Sequence, residues 1–115
     1  MRSPWRADRG SVVAEFAVAL PAVLLVFLAL MSGIQFGALA VRLNDAAADA
    51  ARGLARGDAT ASVAARLATQ VPGASLQRRA DGDLVCAELA LTPGGASGLL
   101  GISLEARSCA LAGGL

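Results

Sequence analysis

From Phe16 to Val41 the chain carries 26 consecutive residues without a charge. A helix of that length rises about 39 Å at ~1.5 Å per residue, and ~20 such residues already cross the hydrocarbon core of a bilayer. Between Phe16 and Ile34 only Pro21, Ser32 and Gly33 interrupt the apolar side chains, and eleven positions are Leu, Ile, Phe or Val. At ~0.3 to 0.6 kcal/mol each, these favour insertion by roughly 3 to 7 kcal/mol. A soluble protein would have to wrap such a helix on all sides, and the 74 residues after Val41 are too few to do so. The run reads as one membrane-spanning helix.

Its flanks bear on topology. Arg2, Arg6 and Arg9 precede the run, whereas Arg42, Arg52 and Arg56 follow it. The count of positive charges is nearly even, but those in front are crowded into nine residues and opposed only by Asp8. This favours a cytoplasmic amino terminus and an extracytoplasmic remainder. An alternative is a secretory signal cleaved after Ala40, within Ala38-Leu39-Ala40. Against it, the apolar stretch exceeds the usual ~7 to 15 residues of such signals.

Composition excludes several functions. The 115 residues are 56% hydrophobic and 3% aromatic, with net charge +1; all ten basic residues are Arg, and His, Lys and Tyr are missing. No basic surface for nucleic acid emerges. The chain offers no histidine base, and Cys86 and Cys109 stand 23 positions apart without a metal-ligand cluster. No glycine-rich phosphate loop follows a strand, so neither an enzyme, a cofactor nor a metal is expected.

One residue conflicts with a plain anchor. Glu15 sits at the edge of the apolar run, five residues after Gly10, and a carboxylate there costs free energy if the segment enters lipid. It could serve as a helix N-terminal charge favoured by the dipole, or it could have a partner.

Gly10, Ser11, Val12, Val13, Ala14, Glu15 and Phe16, followed by an apolar helix, resemble the class III signal of type IV prepilins, in which a prepilin peptidase cuts after the glycine. The stretch GSVVAEFAVALPAVLLVFLAL resembles the start of the TadE-like family, small pilins of tight-adherence (Flp-type) pilus systems. The resemblance covers about residues 9 to 56. It implies a minor pilin or pseudopilin cleaved between Gly10 and Ser11, with Glu15 and Phe16 in the assembly signature. The implied partners are a prepilin peptidase, other pilins, and the assembly platform with its ATPase. Glu15 would then pair with the N-terminal amine of a neighbouring subunit.

The residues accord with this. Glycine has no Cβ, so the backbone can lie extended in a protease cleft. Removing residues 1–10 takes away three of the ten arginines and one of the nine acids, leaving seven and eight. A carboxylate and an ammonium buried in a helix bundle are each costly alone, so mutual pairing rewards one axial stagger. Packing of Leu20, Val23, Leu24, Phe27 and Leu28 against other subunits would supply the bulk stability. Pro21 removes one helical hydrogen bond and tends to kink the axis, and Gly33 and Gly37 form a small-xxx-small pair suited to close helix contact.

Beyond Val41, Leu39, Leu43, Ala47, Ala50 and Leu54 recur at helical steps opposite Arg42, Asp45, Asp49, Arg52 and Arg56, predicting an amphipathic stalk. Gly57-Asp58 interrupts it, with Asp58 the expected N-cap of a second stretch in which Val63, Leu67 and Val71 share a face. Pro72-Gly73 ends that stretch. Residues 84–91 and 102–110 then alternate with period two, predicting two strands. If residue numbers in antiparallel pairs sum to 195, Cys86 faces Cys109, Glu88 faces Arg107 and Leu91 faces Leu104. That register admits a disulfide, although two buried thiols would also satisfy it. The connecting TPGGASGLLG is expected to be a flexible loop. The expected chain is mainly α with a pilin-like α+β order: leader 1–10, transmembrane and assembly helix 11–41, amphipathic stalk 42–71, and a β-hairpin region 72–115.

Overall fold

A computed structural model describes residues 5–94 and 96–113. The chain divides into two compact units, one reaching to Phe36 and the other beginning at Gly37. The described residues of the first unit are all helical and belong to α1, Trp5–Ala55. Pro21 lies inside α1 and the helix continues on both sides of it.

The second unit contains the end of α1, α2 (Thr60–Gln70), β1 (Ser75–Asp81), β2 (Leu84–Leu91), a short α3 (Ala96–Leu99) and β3 (Leu104–Leu111). The mainly helical chain thus ends in a small antiparallel sheet of order β1-β2-β3.

The stop of α1 is written in its last residues. The amide of Asp58 donates to the Gly53 carbonyl, and that of Gly57 donates to the Leu54 carbonyl, each at 3.1 Å. These are the two bonds of a Schellman cap, with Gly57 at φ +91° where a side chain would be strained. The chain reverses here, so the second stretch does not prolong a stalk. It folds back, with Val63 packing beside Ala50, Ala51 and Leu54, and Leu67 and Val71 packing beside Leu43, Ala46 and Ala47. A Cβ on Gly53 would stand 3.3 Å from Val63 and 3.0 Å from Arg66, so glycine permits this close return.

Asp58 does not cap α2. The N-cap is Ala59, in extended conformation and without a side-chain hydrogen bond. The two-residue tail of the Schellman turn sets Asp58 one position too early, and its carboxylate instead meets Arg66 at 2.7 Å and Arg56 at 3.7 Å.

The sheet lays one face on the helices. Val85, Ala87, Leu89 and Leu91 of β2 are buried, as is Ala106 of β3, against Leu43, Ala46, Ala47, Ala50, Ala51 and Leu54. Alanine on that side of α1 leaves a thin interface in which small side chains meet the larger ones of β2. β2 and β3 pair with Cys86 opposite Cys109, Glu88 opposite Arg107 and Leu91 opposite Leu104, the register in which residue numbers sum to 195. Cys86 and Cys109 are joined by a disulfide.

Two features differ from the expected hairpin. β1 adds a third strand, joined to β2 through Gly82 and Asp83, with Gly82 at φ +60° as a type II′ turn requires at its first position. Its alternation is weak because six of its seven residues are exposed. The β2–β3 connection, in turn, is not wholly irregular, since it holds α3.

The cap yields a direct test. Gly57→Ala is expected to destabilise the second unit by about 1 to 2 kcal/mol, the cost of a left-handed conformation for an L-residue, read from denaturant unfolding of the detergent-solubilised protein. Thiol labelling of the unfolded, unreduced protein should miss Cys86 and Cys109 and reach both after reduction.

Candidate assembly and processing segment

The residues of interest lie along one helix. α1 begins at Trp5, so the Gly10–Ser11 bond falls inside helical backbone. An extended approach to a protease cleft would therefore require local unwinding, and glycine weakens a helix interior by about 1 kcal/mol relative to alanine. Nothing lies within 4 Å of where a Cβ on Gly10 would sit. The fold itself has no steric need for glycine at this position.

The apolar run is exposed around its circumference. Val12, Val13, Phe16, Val18, Leu20, Leu25, Leu30 and Ile34 are all exposed, as are the six consecutive residues Val23 to Leu28. At ~100° per residue six consecutive positions sweep every side of a helix, so no face is reserved for water. A helix that is apolar all round requires a non-aqueous environment. α1 is also the one helix among the described residues that is long and apolar enough to cross a membrane.

Polar groups in the run are few. Ser32 Oγ donates to the Leu28 carbonyl at 2.9 Å, which satisfies the hydroxyl within the helix. Pro21 has no amide hydrogen to offer the carbonyl one turn earlier. Glu15 is exposed and makes no salt bridge or hydrogen bond among the described side chains. Ser11 lies one turn before it, and Phe16 lies next to it. Gly33 and Gly37 also have open space where a Cβ would stand.

The second unit carries a different arrangement. On the sheet face turned away from the helices, Glu88 lies between Arg79 at 3.3 Å and Arg107 at 3.8 Å. Arg107 follows from the β2–β3 register, whereas Arg79 lies on β1, an exposed strand without apolar alternation. The Asp81-Gly82-Asp83 sequence, a turn signature, was the available sign of it. These partners are largely exposed, so the cluster is worth little stability. Among the described residues no group of His, Cys, Asp and Glu is disposed to hold a metal ion.

The family model described as TadE-like protein matches residues 10–52. Over that segment, rather more than a third of the chain, the protein is similar to the TadE-like family. The matched segment opens on Gly10, takes in the whole uncharged run, and closes on the buried alanine face of α1. It supports a Tad-pilus-associated, minor-pilin-like role, structural in kind, and association with other pilus components. With the apolar helix it points to the membrane. Searches of curated proteins and of solved structures returned no match.

Because Gly10 meets no neighbour, Gly10→Ala is expected to leave the unfolding transition of the second unit unchanged. A shifted midpoint in denaturant titration would show that Gly10 serves the fold.

Proposed function

We propose that this TadE-like chain is a minor pilin or pseudopilin of a tight-adherence pilus, inserted with its amino terminus in the cytoplasm and its second unit outside. A prepilin peptidase cuts between Gly10 and Ser11, and the trimmed helix then packs with other pilins under the action of the assembly platform and its ATPase. The observation that carries this reading is a glycine the fold does not require, placed five residues before a carboxylate at the edge of an all-apolar helix. Neither residue contributes to the packing of the chain on its own.

Cleavage supplies what Glu15 lacks. It creates an α-amine at Ser11, and an ammonium and a carboxylate from adjacent subunits neutralise each other in a low-dielectric bundle. Removing one member of such a buried pair typically costs ~3 to 5 kcal/mol. Pairing therefore selects the axial stagger between subunits, while Leu20, Val23, Leu24, Phe27 and Leu28 supply contact area. Phe16 adds an aromatic side chain beside the pair. The open sites at Gly33 and Gly37 allow another helix to approach closely.

The mass of the N-terminal peptide of the membrane-extracted protein tests the first step. A chain beginning at Ser11 is expected; a start at Val41 would indicate a secreted protein, and an intact start would indicate an unprocessed membrane adaptor. Gly10→Val, which places a branched side chain beside the scissile bond, should abolish trimming. Glu15→Ala should be trimmed and inserted normally yet be depleted from sheared filaments or assembly complexes. Normal incorporation of that variant would remove the registration role.

A further inference from the structure

We propose that the β2–β3 connection is a lipid-contacting element, in which Leu99, Leu100 and Ile102 enter the headgroup–acyl boundary of the leaflet from which the second unit emerges. The inference rests on the membrane reading of α1 given above. It starts from an exposure the fold does not explain: Leu99 is 90% exposed, Leu100 75% and Ile102 40%. These three side chains lie within four positions of one another in a segment, residues 92–103, that has no charge.

The second unit has two unlike ends. Val85 and Ala87, early in β2, pack with Ala50, Ala51 and Leu54, whereas Leu89 and Leu91 pack with Leu43, Ala46 and Ala47. β2 therefore runs antiparallel to α1 and delivers its connection to β3 at the Leu39–Leu43 end, where Leu39 and Leu104 join the same cluster. That is where the uncharged run of α1 stops, since Val41 is its last residue and Arg42 the first charge after it. The run rises about 39 Å, more than the ~30 Å hydrocarbon core, so its last residues occupy the interfacial layer. The opposite end carries Arg56 and Asp58 at the α1–α2 turn and Asp81 and Asp83 at the β1–β2 turn. Both ends carry charge, Arg42 and Asp45 lying at the near one, but the connection itself has none and presents exposed leucine.

The connection is also shaped rather than slack. A Cβ on Gly98 would lie 2.6 Å from the Pro93 carbonyl oxygen, so the backbone closes on itself there. Gly101 takes φ +69° and donates its amide to the Gly98 carbonyl at 3.1 Å. Two glycines thus hold a tight turn with Leu99 and Leu100 between them. Apolar side chains presented to water on such a turn gain by transfer into an acyl boundary, in proportion to the area they bury. Glu105, the first charge of β3, belongs to the sheet face turned away from the helices.

The test uses full-length protein in vesicles of phosphatidylcholine and phosphatidylglycerol. Trp5→Phe removes the chain's single tryptophan, and Leu100→Trp, Asp83→Trp or Leu24→Trp then introduces one reporter at a time. Leu100→Trp is expected to emit at short wavelength, to resist acrylamide, and to lose most of its intensity to phospholipid brominated near the headgroup end of the acyl chain. Asp83→Trp should show the reverse, and Leu24→Trp should be quenched by deeply brominated lipid. If Leu100→Trp behaves like Asp83→Trp while Leu24→Trp is quenched, the lipid contact is rejected and the span stands. If Leu24→Trp is not quenched, the membrane reading falls and this inference with it. Shielding of Leu100→Trp that increases with the protein-to-lipid ratio and is insensitive to brominated lipid would instead assign the surface to a second copy of the chain. Leu99→Trp, at a side chain with almost no packing to lose, repeats the measurement.

Discussion

An uncharged helical run with no polar side is the constraint to which the rest of the molecule answers. Between Glu15 and Arg42 nothing on α1 prefers water strongly enough to define an outward face, so the segment is stable only where water is excluded. In a bilayer that condition is met by acyl chains; in a filament it would be met by like helices. Side-chain packing between helices distinguishes these surroundings little, because lipid tails are as apolar as leucine. Glu15 is the exception, since a carboxylate is far less costly beside an ammonium than beside hydrocarbon. In the assembly proposed above, such a helix would leave the membrane without losing apolar burial and would gain a charge partner in the same step.

The second unit solves a separate problem with small side chains. About eighty residues cannot enclose a large core, and its buried residues include Ala46, Ala47, Ala50, Ala51, Ala55, Ala87 and Ala106. These alanines on helix and strand are buried all the same, so small side chains carry much of the packing. The tight return at Gly53 and the Cys86–Cys109 link across β2 and β3 fit the same need. A domain of this size gains from a covalent tie that restricts its unfolded chain, and such ties persist in oxidising compartments outside the cytoplasm.

How much of this was legible depended on whether local pattern or long-range closure set each element. The apolar run, the α1 face through Leu43, Ala47, Ala50 and Leu54, the α2 face through Val63, Leu67 and Val71, and the Cys86, Glu88 and Leu91 register all rest on periodicity, and periodicity is written in neighbouring residues. β1 was not legible. As an edge strand with nearly every side chain in water, it needs no apolar alternation, and its pairing with β2 is a backbone matter. The N-cap at Ala59 was equally hidden, because the Schellman geometry ending α1 decides how many residues the turn consumes. The ion pair of Arg79 with Glu88 depends on that unseen strand.

By itself the sequence determined the long uncharged helical run, the position of Gly10 and Glu15 on that helix, and the register between Cys86 and Cys109, because each follows from spacing along the chain. Only the tertiary structure decided that residues 60–70 turn back on α1, that a third strand covers the flank of β2, and that both ends of the β2–β3 connection, Leu91 and Leu104, join the cluster of Leu39 and Leu43. Those outcomes depend on which distant surfaces meet. Short-range pattern states what a segment can bury, whereas closure of the chain determines against what it is buried.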